Sequence, residues 1–201
     1  MRIRSVCQLV LAGAGALLLT ACGGGSTGGQ PTSAPANSQP SEAMLAPKVA
    51  VPLTNTAQYE ADPCSALPTS EVEKAGGKVK SSSVAQSIVG KSCQWTFDGS
   101  GGNVSAGFFS GNKRGLNSLY LENQAGRLTT FKPHAPVLGY PSVVYSKGDE
   151  GTGSCALAVG VRDDLTYTVN TQLRSGNPAV ADPCGMAEKL AAAEITRLKA
   201  G

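Results

Sequence analysis

Cys155-Ala156-Leu157-Ala158-Val159-Gly160-Val161, followed by Arg162-Asp163-Asp164 and then Leu165-Thr166-Tyr167-Thr168-Val169-Asn170-Thr171-Gln172, is the stretch that decides the fold. Side chains alternate across a strand, so Leu157, Val159 and Val161 point one way and Ala156, Ala158 and Gly160 the other. Both sets are apolar. The strand is therefore expected in the interior of a sheet, with a helix able to come close over its small-residue face. Arg162-Asp163-Asp164 reads as a tight turn. The chain then pairs back through Leu165 to Gln172, whose Thr166, Thr168 and Asn170 make the second face of that strand polar.

Downstream, Asp182-Pro183-Cys184 has the form of a helix start, with Asp as N-cap and Pro at the first helical position. Ala187, Leu190, Ala191, Ile195 and Leu198 then form a buried stripe, with Glu188, Lys189, Thr196 and Lys199 outside. Upstream, Ser142–Ser146 reads as another strand. Cys93, Trp95 and Phe97 alternate with Gln94 and Thr96, and Gly99–Gly102 turns that strand into Asn103–Phe109, a hairpin. Leu116, Leu119, Tyr120 and Asn123 fit a short amphipathic helix, and Lys132–Pro136, with two prolines around His134, is expected as a loop. Asp62-Pro63-Cys64 opens a helical turn that Pro68 interrupts. Ser70 and Glu73 have capping-box spacing for a restarted helix, which Gly76-Gly77 ends. The order predicts an α+β fold: a largely antiparallel sheet of about five strands, packed by N-terminal, middle and C-terminal helices.

Four cysteines lie in this region: Cys64, Cys93, Cys155 and Cys184. In an exported domain they read as two disulfides, for which three pairings exist. Cys155 begins a hairpin strand and so lies beside the end of its partner near Gln172, a short loop away from Cys184. That favours Cys155–Cys184, and leaves Cys64–Cys93. The ligands are too scattered for a zinc site and no C-x2-C pair is present, so no metal or cofactor is expected. Ala-Asp-Pro-Cys occurs twice, at 61–64 and 181–184, as though one helix start were stapled twice.

The compartment follows from the other end of the chain. Arg2 and Arg4 precede a nearly unbroken apolar stretch from Val6 to Ala21, too short at ~1.5 Å per residue to span a bilayer as a helix. A basic start and small residues at the end mark residues 1–21 as a secretory signal. Leu19-Thr20-Ala21-Cys22 looks like a bacterial lipobox. The resemblance implies cleavage before Cys22 and a diacylglycerol on its thiol, a palmitate-type anchor in the cell membrane facing the extracytoplasmic side. The competing reading is an ordinary signal peptide with an unmodified cysteine.

Residues 22–59 are rich in Gly, Ser, Thr, Pro, Ala, Gln and Asn, with Glu42 and Lys48 the charges present. They are expected to form an unpacked tether, docked if anywhere at its Val49–Leu53 end. Residues 60–201 are then the single folded domain. The whole chain has 201 residues and formal net charge +3, and removing residues 1–21 takes two arginines, leaving 15 basic against 14 acidic side chains. Near neutrality, with no basic run, argues against nucleic acid as a partner and against an electrostatic grip on anionic lipid head groups, so the acyl chains must do the anchoring.

The lipobox, the tether, Asp62-Pro63-Cys64, Cys93-Gln94-Trp95, Cys155 leading a Val/Ala-rich strand, and Asp182-Pro183-Cys184 together resemble the actinobacterial lipoproteins that carry domain of unknown function 3558. The resemblance runs from the signal to the last helix. It implies a cell-envelope lipoprotein with a disulfide-bonded domain and brings no catalytic residues with it.

Sites for chemistry are sparse. Gly90-Lys91-Ser92 ends a near-match to a phosphate-binding loop, but the first glycine is missing and a strand follows where a helix is needed. His134 stands alone among 201 residues, without a G-x-S-x-G elbow, and is expected to be exposed. Asp149-Glu150 and Asp163-Asp164 are expected as solvated turn charges, and Trp95 and Phe97 as core. The sequence thus points to a non-catalytic module for an envelope protein partner. The alternatives are a small-molecule or lipid-binding lipoprotein, which needs an apolar cavity, and a hydrolase built around His134. Oligomeric state is not legible.

Overall fold

The computed structural model describes residues 43–111, 113–148 and 151–200. In chain order these form α1 (Ala57–Ala61), α2 (Thr69–Gly76), β1 (Val79–Ser87), β2 (Gly90–Phe97), β3 (Gly102–Phe109), α3 (Asn117–Gln124), β4 (Thr130–Val137), β5 (Tyr140–Ser146), β6 (Ser154–Arg162), β7 (Leu165–Leu173) and α4 (Pro183–Ala200). The strands make one seven-stranded antiparallel sheet in the order β1-β2-β3-β7-β6-β5-β4. Two meanders meet at the β3–β7 seam, where eight consecutive residue pairs, Gly102↔Leu173 to Phe109↔Thr166, are in register.

The α+β class holds, and the expected five strands become seven. Both additions are the sheet edges. β1 was hidden because Lys80-Ser81-Ser82-Ser83 carries no alternation; the strand is exposed from Lys80 to Ser87 and buries little on either side. β4 contains Pro133 and Pro136 and occupies the residues expected as a loop. A proline cannot donate to a ladder, but an edge strand needs partners on one side only, and β4 pairs with β5 alone, with an irregularity between His134 and Val137.

One face of the sheet carries the main core. Cys93, Trp95 and Phe97 of β2, Val104, Ala106 and Phe108 of β3, Leu157, Val159 and Val161 of β6, and Leu165, Tyr167 and Val169 of β7 pack with Met186, Ala187, Leu190, Ala191 and Ile195 of α4. The expected stripe of α4 is buried, and Asp182 caps it: its Oδ1 accepts from the Gly185 amide at 2.9 Å. Arg197 and Lys199 in the last turn suit the negative end of the helix dipole. α2 lies on the same side, against α4. Its start differs from expectation. Pro68 is the N-cap, Ser70 lies inside the helix, and Glu73 accepts from the Val79 amide instead of closing a capping box. Asp62-Pro63-Cys64 makes turns, Ser65 N–H to Asp62 O and Ala66 N–H to Pro63 O, with no helix of its own.

The opposite face has a smaller cluster of Ala46, Leu116, Val143 and Ala158, with Leu119, Tyr120, Phe131 and Tyr145 around it. Here the small residues of β6 act as anticipated: a Cβ on Gly160 would already touch Leu116 at 3.3 Å.

Residues 43–56 lie against this body. Asn117, the first residue of α3, binds the amides of Leu45 and Ala46 through Oδ1 and the carbonyl of Ala43 through Nδ2. The Val49 amide donates to Asp163, and the Leu53 amide to the Val161 carbonyl. Ala46, Val49 and Leu53 are buried, so the folded domain takes in chain ahead of Glu60.

Candidate functional site

Two disulfides set the frame. Cys64 bonds Cys93 and Cys155 bonds Cys184, each across 29 residues. The first ties the turn before α2 to β2, the second ties β6 to the start of α4. Cys22, the candidate lipidation residue, lies outside the described residues, as do Asp149 and Glu150.

The helix-free half of the second sheet face is its most distinctive surface. Ser83, Gln94, Ser105 and Asn170 stand in one register row across β1, β2, β3 and β7. Ser81, Thr96, Asn103 and Gln172 form a second row. All eight are exposed or half-buried, and none is charged. Gln94 donates to Asn103 between the rows at 3.4 Å. An antiparallel sheet commonly leaves one face to solvent; the two rows here present hydroxyls and amides without a charge.

Where this face meets α3 there is a groove of about 290 Å³, with Thr166, Thr168 and Asn170 of β7 as its floor and Phe109, Leu119 and Tyr145 among its walls. Gly107 lies beside this floor on β3, where a Cβ would run into the Lys91 carbonyl. At the mouth, Glu122 accepts from Arg127 at 2.9 Å and Lys147 at 3.3 Å. The Arg127 hydrogen bond, with Lys147, lowers the Glu122 carboxyl to about 2, so it stays ionised and paired. A more open hollow of about 450 Å³ lies between Thr54-Asn55, Tyr59 and the end of α4, where Arg197 donates to the Ala66 carbonyl.

The structure brings His134 to Ser142 and Glu188. Its Nδ1 is 3.4 Å from Ser142 Oγ, and its Nε2 is 3.9 Å from Glu188 Oε2. The approach of Nδ1 to the Ala135 carbonyl, at 2.9 Å, makes Nδ1 the protonated nitrogen, so it has no lone pair for Ser142. Ser142 Oγ gives its own proton to the same carbonyl at 2.8 Å and is buried. A nucleophile–base pair needs the reverse arrangement. His134 itself is half-buried on an edge strand, not in an exposed loop.

Asp163 and Asp164 are structural. Asp163 receives the Val49 amide, and Asp164 is held by Arg162 at 2.9 Å, which lowers its carboxyl from the usual range. Gly90-Lys91-Ser92 opens β2, as its strand context implies. Among the described residues no cluster of three or more His, Cys, Asp or Glu could hold a metal, and no helix is long and apolar enough to cross a membrane.

One buried ionisable residue is not foreseen from the sequence. Glu194 on α4 is fully buried, and burial pushes its carboxyl up to about 7 despite the charge of Arg197. Its position between Ala191 and Ile195 in the stripe could have flagged it, had the helical spacing been read for polar residues as well.

No curated protein and no solved structure matches the chain. A family model does, over residues 17–197, covering both disulfides, the polar face and the groove. The chain belongs to the family described as "Protein of unknown function (DUF3558)".

Proposed function

We propose that this is an actinobacterial lipoprotein, held to the extracytoplasmic side of the cell membrane by a diacylglycerol on Cys22, whose domain is a non-catalytic binding module for an envelope protein partner. The anchor rests on Leu19-Thr20-Ala21-Cys22 and the short apolar stretch before it. The binding role rests on one observation, the helix-free face formed by the rows Ser83–Gln94–Ser105–Asn170 and Ser81–Thr96–Asn103–Gln172. Uncharged hydroxyls and amides suit a partner that hydrogen-bonds without an electrostatic grip, in keeping with the nearly balanced charge of the chain beyond residue 21.

Cross-linking in intact cells, followed by native mass spectrometry, tests both halves. Wild type should carry an acyl mass and a recurrent protein partner. Cys22→Ala should lose the acyl mass and leave the membrane fraction. Gln94→Lys with Ser105→Arg should keep the acyl mass and the fold but lose the partner. Recovery of the same partner with the altered face would refute the binding surface.

The groove beneath α3 supports a second reading, a small polar ligand held on Thr166, Thr168 and Asn170 between Phe109 and Tyr145. Its size is near the lower limit of ligand pockets. A non-covalent extra mass that disappears in Thr168→Val would favour it.

A further inference from the structure

We propose that one end of the domain, the end at which the described chain begins at Ala43, rests in the headgroup layer of the membrane that holds the anchor. This rests on the lipidation reading of Cys22 and adds an orientation to it.

Three turns meet at that end by register. Gly90, just after the β1–β2 turn, pairs with Phe109; Phe109 pairs with Thr166; and Arg162 pairs with Leu165 around the β6–β7 turn. The β4–β5 turn at Leu138-Gly139 joins them, because Ser142↔Val159 places Tyr140 toward Val161. The entering chain crosses the same end through the Asp163 and Val161 hydrogen bonds of Val49 and Leu53.

Apolar side chains are left in solvent here. Ile88 is 100% exposed, Val51 70% and Leu138 48%, with Val89 beside them, and Met44 and Leu45 follow at the point of entry. Among the exposed large hydrophobic residues of the described chain, Val84 alone stands elsewhere, on the outer strand. Ile88 and Val89 edge an open hollow of about 320 Å³, but Val51 and Leu138 stand on other segments, outside its lining. Apolar tips spread in this way match a surface that each can enter independently, which is what a bilayer interface offers. Cations accompany them: Lys48, Lys113 and Lys199 are exposed and Lys91 is half-buried. Of the neighbouring acids, Glu60 and Asp164 lie against Arg162, and Asp163 holds the Val49 amide. Asp163 is itself exposed and Lys113 acts on Asp164, so charge adds little at this end and the apolar tips carry the contact. The geometry of attachment agrees. Only twenty residues separate Cys22 from Ala43, at most about 70 Å if fully extended, and Ala43 is held at this side by Asn117.

The test uses the full-length acylated protein in vesicles of phosphatidylcholine and phosphatidylglycerol, with an environment-sensitive fluorophore on Ile88→Cys, Leu138→Cys or Ser100→Cys. Ser100 is exposed in the turn at the opposite end of the sheet. The expected result is blue-shifted emission, quenched by spin-labelled lipid, at 88 and 138 and water-like emission at 100. Water-like emission at all three sites from vesicle-bound protein overturns the orientation while leaving the anchor intact. Absence of an acyl mass refutes the anchor instead, and then the Cys22→Ser chain decides. Its sedimentation with the same vesicles should fall several-fold on Ile88→Asp with Leu138→Asp, and no binding before those changes overturns the proposal.

Discussion

The carboxylate of Glu194 on α4 lies near enough to the hydroxyl of Tyr167 on β7 for its charge to act on it, both fully buried and neither with a hydrogen-bond partner among the described residues. Burial raises the Tyr167 hydroxyl well above its usual range, and the Glu194 charge raises it further, with Arg197 opposing. Burial likewise raises Glu194, to about 7. Tyr140 Oη is also buried without a partner, but Glu194 is the carboxylate among them, and its charge is costly there.

That cost depends on pH with a definite sign. Below about 4.5, the ordinary value for Glu, the carboxyl is protonated whether the chain is folded or not, and there is no penalty. Between about 4.5 and about 7 the unfolded chain ionises first, so stability falls as pH rises. Above that window the loss is constant, roughly 3 kcal/mol. Urea titrations at pH 4 and pH 8 should show Glu194→Gln more stable than wild type by about 1–3 kcal/mol at pH 8 and nearly equal at pH 4. An equal effect at both would show that the charge is not the cause.

Each disulfide closes a separation of 29 residues, so either Cys→Ala pair should lose roughly 3–4 kcal/mol by loop entropy. Denaturation of the two double variants checks this, and a loss below about 1 kcal/mol in either would mean that the unfolded chain is already constrained there.

Gly107→Ala should be disproportionately harmful. Its Cβ would meet main chain at Lys91 and Ser92, which cannot rotate away, so a loss of about 1–3 kcal/mol is expected. Gly139→Ala supplies the comparison in the same denaturation experiment. Nothing lies within 4 Å of its Cβ, and its cost comes from a φ of +89° alone.

Asn117→Ala removes three hydrogen bonds to the entering chain at once. Hydrogen exchange should accelerate at Leu45 and Ala46 with protection in β6 and β7 unchanged, and global stability should fall by about 1–3 kcal/mol. Faster exchange throughout the sheet would instead make the segment integral to the core.

What the sequence disclosed follows burial. β6 and α4 were legible because both faces of one and one stripe of the other are apolar, and the cysteine placement followed from them. β1 and β4 were not, because their reason for existing is pairing with β2 and β5, which leaves no periodicity in Lys80–Ser83 or in Pro133–Pro136. Ser70 and Glu73 have the right spacing for a cap, but Pro68 starts α2 and Val79 claims Glu73. The polar rows were invisible for a related reason. Gln94 and Ser105 are joined by the β2–β3 hairpin, but Asn170 becomes their neighbour only when β3 pairs with β7, a contact between halves of the chain that no local pattern encodes.

The strap formed by residues 43–56 also decides how the domain responds to force. A pull on the chain ahead of Ala43 loads the Asn117 side chain first, then the Asp163 carboxylate at Val49, then the single backbone bond between Leu53 and Val161. These contacts can break in succession without opening the sheet. Peeling then reaches Cys64, where a covalent bond to Cys93 transfers the load into β2, which is paired on both sides. The segment is a mechanical fuse: about twenty residues can unspool under tension and rewind afterwards, while the sheet beyond the first disulfide stays shut.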